Sequence, residues 1–251
     1  MTCESYDAAG LWAREGLMRR GLEPFELLTP ESLAHGLGWS HRIHNGSVST
    51  DLTFPDGRRL PDAQVRGILN RLTFVFPETL SLIRREDRRY VATEVQALLL
   101  SWLHGLPAPV LNRPTPLGLS GRMRHASEWV WLASEAGLSN QGYRQTSTDQ
   151  PLPWDISARL APNGVPGVSV IVAGDSVFGA SVPQEIAAGC IRLARLAGAD
   201  LFGIDFAVTP ENGWTLAGVT TSPDLRLGGE ALLDALASRL LENPPNPKEA
   251  Q

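Results

Sequence analysis

The chain has 251 residues, of which 43% are hydrophobic and 20% charged, enough for one large domain or two small ones with an ordinary core. The formal net charge of -5 argues against a global nucleic-acid-binding surface, and runs such as Val168–Ala173 and Ala97–Leu103 are far too short to span a bilayer. The opening "MTCESYDAAG" has neither a basic n-region nor an apolar h-region, so no signal peptide is expected. Cys3 and Cys190 stand alone, which excludes a CxxC metal knuckle and fits a reducing, cytoplasmic location.

In chain order, "DAAGLWAREGLMRR" at 7–20 has helical spacing, with Leu11, Leu17 and Met18 on one side, and Gly21 ends it. "EPFELLTP" is expected as a strand and "ESLAHGL" as a helical turn. "HRIHNGSVSTDLTFPDGRRL" predicts strands turning at Asn45-Gly46 and again at Asp56-Gly57. "VRGILNRL" predicts a short strand with a polar end, then a helix runs from Tyr90 to Leu103, and "APVLNRP" is another short strand. A long helix is expected over Arg122–Ala136, stopped by Gly137.

Residues 139–166, rich in Pro, Gly, Ser and Gln, are read as a linker. "GVSVIVAGDSVFGAS" predicts a hairpin at Gly174-Asp175, and Pro183 opens a helix to Ala197. Two strands, "GIDFAVT" and "GWTLAGVTT", and an amphipathic helix, "GGEALLDALASRLLEN", complete the chain. The pattern is α/β (α+β) in two lobes. The expected domains are 1–138, the linker 139–166, a second lobe 167–243 and a polar tail 244–251.

Lys248, in the tail, is the chain's only lysine, so no folded part can use a lysine as phosphate clamp, Schiff base or general base. "GDSV" (Gly174–Val177) matches the serine block of some hydrolases, but a hairpin turn explains it equally, and the histidines (35, 41, 44, 104 and 125) lie in the first half. His41 and His44 are three apart on an expected strand and point to opposite faces, which disfavours a shared metal. "GLGW" lacks the third glycine of a dinucleotide loop, and "NGS" at 45–47 reads as a turn. "RREDRRY" sets Arg84, Arg85, Arg88 and Arg89 against Glu86 and Asp87. It is either a solvated loop with internal ion pairs or a grip for anions, which arginine's planar fork suits.

The order of pieces resembles the ATP-grasp superfamily, in particular RimK-like amino-acid ligases and the peptide ligases that crosslink microviridin-type precursors. "AAGLWAREGLMRRGLEPFELLTPESL", "GILNRL" and "PVLNRPTP" are similar to that family's N-terminal, pre-ATP-grasp lobe. "RMRHASEWVWLASEAGL" resembles the helix that follows, where the family reads K-x-x-x-L-x-x-A-x-x-x-G-L. The strands from "VSVIVAGDSVFGAS" to "GWTLAGVTTSPDL" resemble the C-terminal half, which ends on E-V-N-x-x-P.

The resemblance implies Mg²⁺ held by an acid on one strand and a Glu-x-Asn pair on the next. Asp205 keeps the first position as a weak, vestigial ligand, while the pair falls on Gly218 and Thr220, degenerate ligand positions. Arg122, Arg124 and His125 stand where the family carries its helix lysine, and the 139–166 interval is too short for the family's inserted β-rich subdomain. The expectation is a degenerate ATP-grasp-like pseudoenzyme with no catalytic residues and no cofactor. It would bind an acidic peptide or partner protein through Arg84, Arg85, Arg88, Arg89, Arg122 and Arg124, as an accessory to peptide modification. It would form a homodimer or hetero-complex, because Trp129 and Trp131 cannot share a helix face, and would bind neither nucleic acid nor membrane. The alternatives are a reduced ATP-dependent carboxylate–amine ligase, using Mg²⁺ and ATP and completed by a partner chain, and an unrelated small-molecule enzyme.

Overall fold

The computed structural model describes residues 1–143, 145 and 167–241. Most of the expected linker, and the tail with Lys248, lie outside the described residues. The chain divides into two compact units, one comprising Met1–Arg122 with the segment from Leu233, the other Met123–Leu232.

In the first unit, helix α1 (Ala8–Arg19) is capped by Asp7, whose carboxylate accepts from Gly10 N at 2.9 Å. Gly21, in the left-handed region at φ 83°, donates to Met18 O and stops it. A π-helical turn (Ser32–Gly36) leads into an antiparallel meander of β1 (Gly38–His44), β2 (Ser47–Thr53) and β3 (Arg59–Pro61). The first turn is Asn45-Gly46, with both residues at positive φ as a tight hairpin needs. Strand β4 (Ile68–Leu69) pairs in parallel with β5 (Val110–Leu111) across helix α2 (Arg88–Gly105).

Helix α2 buries Ala92, Val95, Leu98, Leu99, Trp102 and Leu103, a stripe at helical spacing that builds the first core with Leu52, Ile68 and Val110. Its C-terminal end is held by Arg113, whose guanidinium donates to the carbonyls of Leu103, His104, Leu106 and Ala108. The segment "EPFELLTP" is not a strand. Only Leu28 pairs, forming a parallel bridge with Thr2, whereas Pro24 has no N–H to give a ladder.

In the second unit, helix α3 (Ala126–Glu135) begins four residues later than expected, because the His125 backbone is extended and its ring accepts from Ser127 N. A four-stranded antiparallel sheet runs β7 (Ser176–Gly179), β6 (Gly167–Ala173), β8 (Leu201–Thr209), β9 (Gly213–Thr220). One face, with Val170, Val172, Ile204, Phe206 and Leu216, packs on α3 and on α4 (Gln184–Ala197). The boundary expected after residue 138 falls instead at Arg122/Met123, because Trp129, Leu132 and Ala133 of α3 enter this second core. Helix α5 (Gly229–Leu241) ends the described chain. Within the first unit Gly67 abuts α5 so closely that an added Cβ would collide with Leu240 O.

Candidate functional site

The face of the second sheet turned away from α3 and α4 carries the expected metal positions; residues from Pro223 cover part of it, so Ile171 and Gly203 are buried there. Asp205 is the one exposed residue in the central run of β8, whose neighbours Ile204 and Phe206 are fully buried. It lies directly between Ser169 on β6 and Gly218 on β9. Asp205 pairs with Gly218 but Phe206 with Leu216, so Ala217 is an extra, bulged residue, a device that re-aims a strand locally. Past the bulge Gly218 and Thr220 share the face of Asp205, since positions two apart on a strand point the same way.

Each of these groups is already engaged or has no donor. Ser169 Oγ donates to Asp205 Oδ1 at 2.5 Å. Thr220 Oγ1 accepts from Ser222 N at 3.1 Å, closing the turn after β9. Gly218 supplies no ligand atom, although an ideal Cβ there would stand only 3.3 Å from Asp205 Oδ2. Mg²⁺ requires near-octahedral oxygen ligation, usually with a carboxylate or two. One carboxylate, a glycine and an occupied hydroxyl do not fit that ion. No group of three or more His, Cys, Asp and Glu side chains able to hold a metal occurs among the described residues.

The candidate arginines are not equivalent. Arg84 is ion-paired with Asp87 at 3.1 Å, and Arg88 donates to the carbonyls of Ile83 and Ser81, both at 2.9 Å. Arg85 and Arg89 are exposed and make no ion pair among the described residues. Arg122 is exposed, whereas Arg124 is largely buried. The Arg124 guanidinium bonds Glu128 at 3.2 Å and Ala197 O at 2.9 Å and lies over the Trp129 ring, so it ties α3 to the end of α4. The "GDSV" aspartate, Asp175, pairs with Arg195 at 2.9 Å. His41 uses both ring nitrogens, toward Thr50 and Ser101 hydroxyls at 2.9 Å.

A further polar cluster, not foreseen from the sequence, sits at the carboxyl ends of the parallel runs in the first unit. Residues 1–3 bridge Leu28 on one side and Asn70 on the other, so the runs ending at Cys3, Leu28, Leu69 and Leu111 lie parallel. The carboxyl ends of such strands are where open α/β folds place ligands. Here buried Asn70 accepts from Thr2 and donates to the carbonyls of Asn112 and Leu119. Asn112, at φ 59°, adopts the left-handed conformation that asparagine tolerates. Buried Arg71 and half-buried Asp7 form a two-point ion pair, at 2.6 and 3.1 Å.

Glu4 adjoins this pair with both carboxylate oxygens sealed from solvent and no hydrogen-bond partner. Burial first, then the charges of Glu31 and Asp7, push its carboxyl up to about 7. The only sequence signal was the repetition of Asn-Arg after a strand, in "ILNR" and "VLNR". A cavity of about 350 Å³ lined by Leu28, Leu60, Ile68 and Trp102 opens at the opposite, amino ends, beside Gly67. Both cysteines are buried, which pushes the Cys3 thiol up to about 11 and the Cys190 thiol up to about 12, so neither is poised as a nucleophile.

No protein-family model matches the sequence, and no curated protein matches it. Solved structures do match, over nearly the full length of both chains. The macrocyclase MdnC bound with precursor peptide MdnA, from Microcystis aeruginosa MRC, has a TM-score of 0.70 at 11% identity, with 96% of this chain and 98% of that chain covered. A Chryseobacterium gregarium RiPP-associated ATP-grasp ligase, in complex with ADP and a leader and core peptide, has 0.68 at 12%, covering 98% and 96%. The macrocyclase MdnB from Microcystis aeruginosa MRC has 0.62 at 14%, covering 96% and 97%. The two-unit α/β architecture of this chain is therefore similar to that of ATP-grasp ligases, and the likeness is one of fold.

Proposed function

We propose that this chain is a peptide-binding accessory protein on a degenerate ATP-grasp scaffold, without ATP turnover. The observation that carries the reading is the face around Asp205. The fold's two-strand ligand set is reduced there to one carboxylate already bonded to Ser169, opposite a glycine. The structural neighbours include enzymes solved with leader, core or precursor peptides, which supports peptide recognition as the function retained when nucleotide chemistry is lost. Arg85 and Arg89, exposed and outside any ion pair among the described residues, favour an acidic partner. No helix of the described chain is long and apolar enough to cross a membrane.

A second reading is a reduced ATP-dependent ligase completed by a partner chain. It is favoured by neighbours solved with ADP, Mg or AMPPNP. A thermal-shift titration with Mg²⁺-ATP separates the two. A ligand at 100-fold over its dissociation constant stabilises by about 2.7 kcal/mol. The accessory reading expects no shift at millimolar nucleotide. A Mg²⁺-dependent rise of several degrees overturns it in favour of the ligase.

A further inference from the structure

The segment from Phe76 to Tyr90 presents an unusual surface. Leu80 is fully buried and Ile83 packs against the first core, but Leu82 between them is 75% exposed. Arg88 fixes this outward loop by donating to the carbonyls on both sides of it, Ser81 and Ile83. Tyr90, in the first turn of α2, is 69% exposed, and Phe76, before the short helical turn at Pro77–Thr79, is 43% exposed.

Along the chain, Arg85 and Arg89 lie between Leu82 and Tyr90. Arg84 and Arg88 are already committed to Asp87 and to backbone carbonyls, so the available charge belongs to the other two. The first turn of α2 itself holds no acid, but its N-cap is Asp87, whose carboxylate pairs with Arg84, so the available positive charge is that of Arg85 and Arg89. Single exposed apolar residues are common on proteins, but Leu82 and Tyr90 flank two unpaired arginines within nine residues of chain, so apolar and cationic groups are offered together.

We propose that this surface binds an acidic peptide segment through at least one large apolar side chain of that peptide. Leu82 and Tyr90 form the apolar seat, and Arg85 and Arg89 take flanking carboxylates. This rests on the acidic-peptide reading above and specifies it. Charge complementarity selects the occupant. The four arginines of 84–89 face only Glu86 and Asp87 locally, a local excess of positive charge suited to carboxylates, and the exposed Leu82 and Tyr90 beside them suit apolar peptide side chains rather than a phosphate backbone. Arginine with tyrosine is also the composition found where interfaces concentrate their binding energy. Desolvating a leucine or tyrosine contributes more than one exposed ion pair, so the apolar contact sets affinity while the arginines set charge preference.

The test is fluorescence anisotropy on the full chain with three labelled probes: a glutamate-rich peptide containing tryptophan and leucine, the same peptide with serine at both apolar positions, and an oligothymidylate. The proposal expects the first probe to bind at least about tenfold tighter than the second. Leu82→Ser with Tyr90→Ser should cost roughly the same factor, and both residues are exposed enough to be replaced without loss of fold. Arg85→Gln with Arg89→Gln should weaken both peptides and flatten their salt dependence, while Arg84→Gln changes affinity less than about twofold. Equal affinity for the two peptides overturns the apolar seat but leaves the acidic-peptide reading standing. Failure of both peptides to bind sinks both, and preferential binding of the oligothymidylate replaces the peptide with nucleic acid.

Discussion

Ser169 and Asp205 face each other across the β6–β8 pair, and the serine hydroxyl donates to the Asp205 carboxylate at 2.5 Å. The bond joins two central strands on the face turned away from α3 and α4 and makes Asp205 a structural acceptor. An asparagine presents the same acceptor oxygen to Ser169. Asp205→Asn is therefore expected to preserve partner binding and to change stability by no more than about 1 kcal/mol. Calorimetric melting and partner titration of the two proteins check this. Collapse of partner-supported activity in the variant would show that the charge still holds a metal.

The same face predicts a gain of function. A side chain at 218 would project beside Asp205, given the 3.3 Å between an ideal Cβ and Oδ2. Gly218→Glu with Thr220→Asn should restore a divalent-cation site of two carboxylates and an amide. The double variant is expected to melt lower than wild type without metal, from like-charge crowding, and to recover with millimolar Mg²⁺ or Mn²⁺. A melting curve indifferent to both ions would mean that the backbone no longer aims these positions together.

Stability should fall between mildly acidic and neutral pH. Burial and neighbouring acids raise the Glu4 carboxyl from its ordinary 4.5 to about 7, so the folded state binds this proton more tightly than the unfolded chain. That contribution is fully present below about 4.5 and lost as pH rises through about 7. Asp7 has the opposite sign. Burial pushes its carboxyl up, but the hydrogen bonds and charge of Arg71 and the Gly10 N–H outweigh it and hold it low, so its contribution is lost as the medium becomes strongly acidic. Glu4→Gln should flatten the fall toward neutrality and leave the acid limb in place. Melting temperatures from pH 2 to 8 decide, at about 2–4 °C per kcal/mol for a chain of this size.

Trp129 is buried in the second core, and Trp131, two residues on, is 62% exposed on the same helix. An exposed tryptophan is characteristic of association surfaces. The chain is expected to form a homodimer or hetero-complex that Trp131→Ser weakens without lowering the monomer's melting temperature. Light scattering giving a monomer for wild type at high concentration, with no partner recovered by affinity capture, would count against this.

Local signals found the elements that local chemistry fixes. Asn45-Gly46, Asp56-Gly57 and Gly174-Asp175 each mark a turn the structure contains, and the α4 range was legible from Pro183 to the left-handed Gly198. The strand expected at "EPFELLTP" failed because its pairing depends on residues 1–3, which no pattern within the segment encodes. The Asn70–Asn112 cluster was illegible for a related reason. Its members are 42 residues apart and meet only through parallel strand pairing. Of the arginines, the sequence offered a cluster of equals, and only three-dimensional contacts separate Arg84 and Arg88, which staple a loop, from Arg85 and Arg89.

The first unit is not a contiguous stretch of chain, and this bears on how the protein is made. Helix α5 packs onto residues near the beginning, with Arg20 bonded to Asp234 across a separation of 214 residues and Leu240 lying against Gly67. During synthesis the early segments emerge first, but their closing helix leaves the ribosome only after the whole intervening unit. Until then the surface around Gly16 and Gly67 stays uncovered. Such distant contacts carry a high loop-closure cost and slow folding. The second unit, drawn from one continuous segment, can gather its core first, and the first unit is completed only when α5 arrives.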